Sequence, residues 1–245
     1  MQLDNKKAIF GWAMYDWANS AFATTIMAGF FPIFFKQFYN VGVDATVSTA
    51  RLGLANSIAG IIVALSAPIL GAIADKGTSK KKFLLLFAYM DVVMTSALYM
   101  VSKGNWTLAT MLYVFATIGF SGGNIFYDAL ITGIAPEKNM DFVSALGFSL
   151  GYLGGGIVFA INVWITLNPE TFGLADAGEA VKFSFLSVGV WWAVFSIPLL
   201  LFVKEPKGGK AKPAVNMVKA GFTQLKGTFQ EIRHLKTIFL FLMAY

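Results

Sequence analysis

The sequence contains no cysteine and a single histidine, His234, in 245 residues. Disulfides and thiolate metal sites are therefore excluded, and no cysteine–histidine nucleophile can be built from it. Charge is scarce as well: Lys, Arg, Asp and Glu make up 13% of the chain, against about 25% in an average soluble domain. Gly208–Lys210, the one GGK, lacks the upstream glycine and strand of a phosphate-binding loop. Together these absences leave no expected cofactor or metal, and they argue against an enzyme. Only an intramembrane aspartyl chemistry, with Asp16 and Asp128 sharing a proton, stays formally open.

What the chain has instead is apolar bulk. Hydrophobic residues reach 57%, aromatics 16%, and Gly and Phe number 24 each, with a mean hydropathy of +0.66. This is the composition of a helical membrane bundle packed through small residues. The net charge of +6 points to a membrane surface rather than to nucleic acid, because the cations cluster in short loops beside apolar runs. The first apolar run is too long, and lacks a small-residue cleavage site, to be a removable signal peptide.

Six runs are long enough to span, at about 20 residues each. They are predicted at 9–38, 52–74, 83–101, 106–134, 142–167 and 183–203. With the N-terminus in the cytoplasm, all but Lys36, Arg51, Lys103 and Lys182 of the 19 Lys and Arg fall on the inner side, as the positive-inside rule requires. A multi-pass protein of the plasma (inner) membrane is the resulting expectation. Residues 1–203 would form the bundle, and 204–236 a basic cytoplasmic linker. Val215, Val218, Phe222, Leu225, Phe229 and Ile232 give that linker an amphipathic helix, with Lys219, Lys226 and Arg233 opposite. Such a helix suits the anionic inner leaflet or the bundle surface; a regulatory partner is the alternative. At 237–245, TIFLFLMAY reads as the start of a seventh span, and more of the protein is expected beyond it.

Asp16, Asp91 and Asp128 fall inside predicted spans. An acid at membrane depth costs at least about 2.5–3.5 kcal/mol and is kept where it faces protein or water. On the first span Trp12, Asp16, Asn19, Ala23 and Met27 share one helical face, with Ser20 and Thr24 at its margin. On the fourth, Thr117, Ser121, Asn124 and Asp128 form a second polar stripe, whereas Asp91 has none around it. No Lys or Arg stands inside the spans away from their outer ends. The acids must then be protonated, hydrated, hydrogen-bonded, paired with groups beyond residue 245, or neutralised by a cationic cargo.

The second span ends in GAIADKGTSKKK, with Gly71, Asp75, Lys76, Gly77, Lys80 and Lys81 as a candidate conformational loop. It resembles the loop signature between spans two and three of the major facilitator superfamily, with Gly77 one position early. GFSLGYLGGG in the fifth span resembles that superfamily's fifth-span packing motif at Gly147, Gly151, Gly155 and Gly156, with Tyr152 in place of a proline. With YDWANSAF and NIFYDALITGIAP, the chain looks like the vacuole-effluxer-like branch of the superfamily, related to autophagy-linked amino-acid permeases. That resemblance implies an all-α membrane protein, with this chain as the six-helix N-terminal bundle of a twelve-span fold plus the start of span seven. It also implies that spans one, two, four and five line a central cavity, with three and six peripheral.

The expected function is a secondary active transporter moving a small polar solute by alternating access. Asp16 and Asp128 would be its proton or substrate-amine sites, and Tyr15, Asn19 and Asn124 its hydrogen-bonding cavity groups. Its expected partners are the solute, protons, membrane lipid and the remaining C-terminal half, with no nucleic acid. A receptor or scaffold built on a transporter-like bundle is the alternative.

Overall fold

The structure is a computed structural model and describes residues 3–76 and 79–205. The linker helix and the seventh span expected beyond residue 205, and Gly77 of the loop motif, lie outside the described residues, as does the side chain of Lys76.

Every regular element among the described residues is helical. Six helices are long and apolar enough to cross a membrane: Lys6–Tyr39, Ala45–Asp75, Lys80–Met100, Trp106–Ile131, Glu137–Leu167 and Ala177–Phe202. Even the shortest, at 21 residues, reaches about 30 Å at 1.5 Å per residue, the thickness of a bilayer's hydrocarbon core. The protein is an integral multi-pass membrane protein.

Several helices begin earlier than the apolar runs do, because their first turns are polar and are fixed by caps rather than by hydropathy. Asn5 Oδ1 accepts from the Lys7 and Ala8 N–H groups at 3.0 and 3.4 Å. Asp44 accepts from Thr46 N–H at 2.7 Å, and these hydrogen bonds hold its carboxyl below the usual carboxylate range. Asp176 accepts from Glu179 N–H at 2.8 Å, while the Glu179 carboxylate returns to Ala175 N–H at 2.7 Å. The turn before the fourth helix needs Gly104 at φ +84°, a value that costs glycine no Cβ clash.

The first helix is the central column. Half of its apolar window is buried, against 17% for the second helix. Its small buried residues, Ala8, Gly11, Ala13, Ala18 and Ala21, let neighbouring backbones approach. From Phe22 to Phe30, and again from Phe35 to Tyr39, it winds as π-helix. Thr24 Oγ1 marks the first of these segments, 2.9 Å from Ser20 O and 3.1 Å from Gly155 O across the interface. Trp192 of the sixth helix is fully buried and packs its ring against Tyr15, Phe22 and Phe120.

The lysines of the loop motif act as helix caps. Lys80 Nζ donates to Ala129 O at 2.8 Å near the end of the fourth helix. Lys81 Nζ donates to Leu200 O and Val203 O at the end of the sixth, at 2.8 and 2.5 Å. A cation there satisfies orphan carbonyls and the negative end of the helix dipole. Lys81→Met should therefore destabilise the bundle by about 1–2 kcal/mol, read as a lower thermal unfolding midpoint, while Lys82→Met at an exposed position should change little. Gly71 is not pressed against any described helix. A Cβ added there would meet nothing within 4 Å, and Asp75 is exposed.

Candidate functional site

A cavity of about 590 Å³ opens between the first, fourth and fifth helices. From the first helix it is lined by Trp12, Asp16, Asn19, Ser20, Ala23 and Thr24, the face that 3.6-residue periodicity brings together. The fourth contributes Asn124, Tyr127 and Asp128 among others, and the fifth Asp141, Ser144 and Tyr152. Ile131 ends the fourth helix and Met140 lies in the first turn of the fifth. The mouth thus lies at the bundle end that carries the N-terminus.

Two contacts fix the walls. Asn19 Nδ2 donates to Asn124 Oδ1 at 2.7 Å, tying the first helix to the fourth beside the cavity. Trp12 stacks on Tyr127 with ring centroids 4.3 Å apart and donates from Nε1 to Tyr127 O at 3.0 Å. A double-mutant cycle over Asn19→Ala and Asn124→Ala should return a coupling of about 0.5–1.5 kcal/mol in thermal or chemical unfolding. A coupling of zero would mean that the bond does not hold the two helices together.

The fifth helix is seated by glycine. A Cβ added at Gly147 would lie 2.7 Å from the Trp12 ring. At Gly151 it would lie 2.7 Å from Ser20 Oγ and 3.0 Å from Asp16 Cγ, and at Gly154 2.5 Å from the Trp17 carbonyl oxygen. At Gly155 it would lie 2.9 Å from Ser20 O. Gly156, expected in this packing face, is exposed and meets nothing within 4 Å; Gly154 takes its place because it lies on the side turned to the first helix.

Of the expected site residues, Asp16, Asn19, Asn124 and Asp128 all line the cavity, Asp16 half-buried and Asp128 exposed to it. Tyr15 does not line it. Adjacent residues on a helix point about 100° apart, and the Tyr15 ring is fully buried between Tyr127 and Trp192. Thr117 and Ser121 stay outside the lining too, the first bonded back to Tyr113 O at 2.9 Å. The second helix, expected as a wall, packs elsewhere: Ala55 and Ala59 seat it on Val114, and Tyr113 Oη donates to Asn56 Oδ1 at 3.0 Å. The third and sixth helices contribute nothing to the lining, as expected of peripheral spans.

Asp141 and Ser144 were not anticipated. The fifth helix starts at Glu137, behind Pro136, whereas its apolar run starts at Phe142. Pro136 followed by an acid in the first turn is a helix-start signal. Read from there, Met140, Ser144, Phe148 and Tyr152 recur at steps of four, forming the cavity stripe beside the glycine stripe. Among the described residues the lining therefore carries Asp16, Asp128 and Asp141 and no Lys, Arg or His. Such a surface can take up a proton, bind an ammonium group, or hold water against acids that lipid could not solvate.

The family described as "Vacuole effluxer Atg22 like" matches residues 4–51, 38–140 and 134–245. The chain is similar to the uncharacterized MFS-type transporter YxiO of Bacillus subtilis, 39% identical over 237 residues, which are 96% of this chain and 55% of that protein. It is also similar to autophagy-related protein 22 of Coccidioides immitis, at 22% identity over 98% of this chain and 56% of the relative. A third relative, autophagy-related protein 22 of Yarrowia lipolytica, is 31% identical over 125 residues, 42% of this chain and 20% of that protein. The chain thus spans about half the length of the curated relatives that it matches end to end.

Proposed function

This chain belongs to the vacuole effluxer Atg22-like family, and from that premise we propose that its bundle is one half of a secondary transporter for a small polar solute. The observation that carries the reading is the cavity itself. Three carboxylates and two amides converge on it, Asp141 at its mouth and the others deeper, with no cation in its lining among the described residues. Asp16 and Asp128 carry the coupling proton or meet the amine of the cargo, and Asn19 and Asn124 hydrogen-bond its polar groups. An amino acid is the first cargo to test, because it brings the ammonium that these acids lack.

The bundle is built to move as one body. Glycine contacts lock the fifth helix to the first, the Asn19–Asn124 bond locks the first to the fourth, and Lys80 and Lys81 tie three helix ends together. Rocking of this body against a second half would expose the cavity to each side in turn. With the N-terminus in the cytoplasm, the mouth beside Asp141 is the inward opening.

The test is flux of labelled amino acids and related small solutes by the full-length protein in proteoliposomes, with and without a pH gradient. Accumulation that collapses with a protonophore is the expected result. No uptake of any solute in either gradient direction would instead favour a receptor or scaffold.

A further inference from the structure

Away from the cavity, the bundle encloses a second group of polar atoms. Asp91 of the third helix is fully buried and accepts one hydrogen bond, from Thr95 Oγ1 at 2.6 Å. Its Oδ2, Tyr15 Oη, Tyr127 Oη and Trp192 Nε1 are buried without a hydrogen-bond partner among the described residues. Native interiors leave few such atoms, and those that persist mark ordered water or function.

Asp91, Tyr15 and Tyr127, which carry three of these atoms, follow one another along the fourth helix. A Cβ added at Gly119 would lie 3.0 Å from Asp91 Cβ, and one at Gly123 2.9 Å from Tyr15 Oη. Gly119, Gly123 and Tyr127 follow at steps of four on one face of the fourth helix, about 6 Å apart. The Tyr15 ring lies 5.1 Å from the Tyr127 ring and 6.2 Å from that of Trp192. Tyr127 in turn lines the cavity with Asp16 and Asp128. The two glycines are what allow this succession, since a side chain at either position would push Asp91 or Tyr15 away. Around Asp91, the first helix presents Tyr15 and the fourth Gly119; the sixth packs Gly189 onto Val92 and Ser96. None of these neighbours is a Lys, Arg or His. Leaving a charge at this depth uncompensated is costly.

We propose that Asp91 is a proton-binding site in its own right, distinct from the cavity acids, and that the hydroxyls of Tyr15 and Tyr127 connect it to the cavity. In the transfer, the Asp91 carboxyl O–H bond breaks and its proton passes to Tyr15 Oη. Tyr15 releases its own hydroxyl proton toward Tyr127, and Tyr127 releases its own to the carboxylate of Asp16 or Asp128. Because Asp91 Oδ2 and the two hydroxyls have no hydrogen-bond partner among the described residues, ordered water relays the proton at each step. Both phenols end neutral, Asp91 ends as a carboxylate, and the cavity acid ends protonated; the reverse sequence restores the start. The site stands whether or not the bundle carries a solute.

Infrared spectroscopy of the full-length protein in lipid tests this without any flux measurement. The carbonyl stretch of a protonated carboxyl should persist in the Asp16→Asn/Asp128→Asn variant and be lost when Asp91→Asn is added to that variant. On transfer to heavy water the band should shift as the proton exchanges. Positioned proton-transfer groups contribute about 10²–10⁴-fold, so Tyr15→Phe should slow that exchange at least about tenfold. A band left unchanged when Asp91→Asn is added to the Asp16→Asn/Asp128→Asn variant would overturn the site, and unchanged exchange in Tyr15→Phe would overturn the path. Should Asp91→Asn not fold, the exchange rate in Tyr15→Phe, which removes one oxygen atom, still decides.

Discussion

Asp16→Asn and Asp128→Asn should each lower proton-driven flux by about 10²-fold or more, with insertion and yield close to those of the unsubstituted protein. Both positions tolerate the change structurally. Asp16 receives only a long hydrogen bond, from Ser20 Oγ at 3.4 Å, and Asp128 is exposed to the cavity. Asn keeps the shape and removes the titrating oxygen. If the acids couple protons to transport, solute exchange at equal pH should survive better than uphill accumulation does. If they hold the cargo amine, exchange and accumulation should fall together. Flux at the unsubstituted rate in both variants would remove the pair from the mechanism. Asp141→Asn provides a graded comparison, because it sits at the mouth, above the level of the Asn19–Asn124 bond.

The second large effect lies in the glycine stripe. Gly154→Leu puts a branched side chain where even a Cβ would stand 2.5 Å from the Trp17 carbonyl oxygen. Backbone cannot yield as a flexible side chain can, so the first and fifth helices must separate. Overpacking of this kind costs about 1–3 kcal/mol, and the separation reaches Gly151, one turn before Gly154, which lies against Asp16 and Ser20. We expect a clear drop in the unfolding midpoint together with most of the flux. Gly156→Leu, two residues away but exposed, should leave the midpoint of the bundle nearly unchanged. Equal loss in the two variants would show that the stripe is not the seat of the fifth helix.

The features legible in the sequence are those that the membrane makes expensive. A carboxyl inside an apolar run must face protein or water, and a 3.6-residue period then says which neighbours accompany it. Asp16, Asn19, Asn124 and Asp128 met in one cavity for that reason. The period fails where the helix itself changes. Met27 was expected on the polar face, but it falls in the π-wound segment Phe22–Phe30 and does not line the cavity. Asp141 was hidden because apolar runs mark where lipid begins, not where a helix begins. Tyr15 was misplaced because a polar neighbour of an aspartate looks like its companion, although a single step along the helix turns it into the core. In the run of three glycines, only the rotation of the fifth helix decides which ones touch the first. The stretches after Glu205, with the amphipathic pattern and the seventh apolar run, lie outside the described residues.

Water access to the space between the first, fourth and fifth helices is measurable with thiol chemistry. The chain has no cysteine of its own, so each introduced thiol is read as the labelling gained over the unsubstituted full-length protein. Ala23→Cys and Ser144→Cys, both in the cavity lining, should react with a small membrane-impermeant thiol reagent in the full-length protein, and a transported solute should slow that reaction. Leu65→Cys, which is 71% exposed on the apolar second helix, should face lipid and stay unlabelled. Labelling of Leu65→Cys with neither cavity position reactive would contradict a water-filled pathway lined by Asp16 and Asp128.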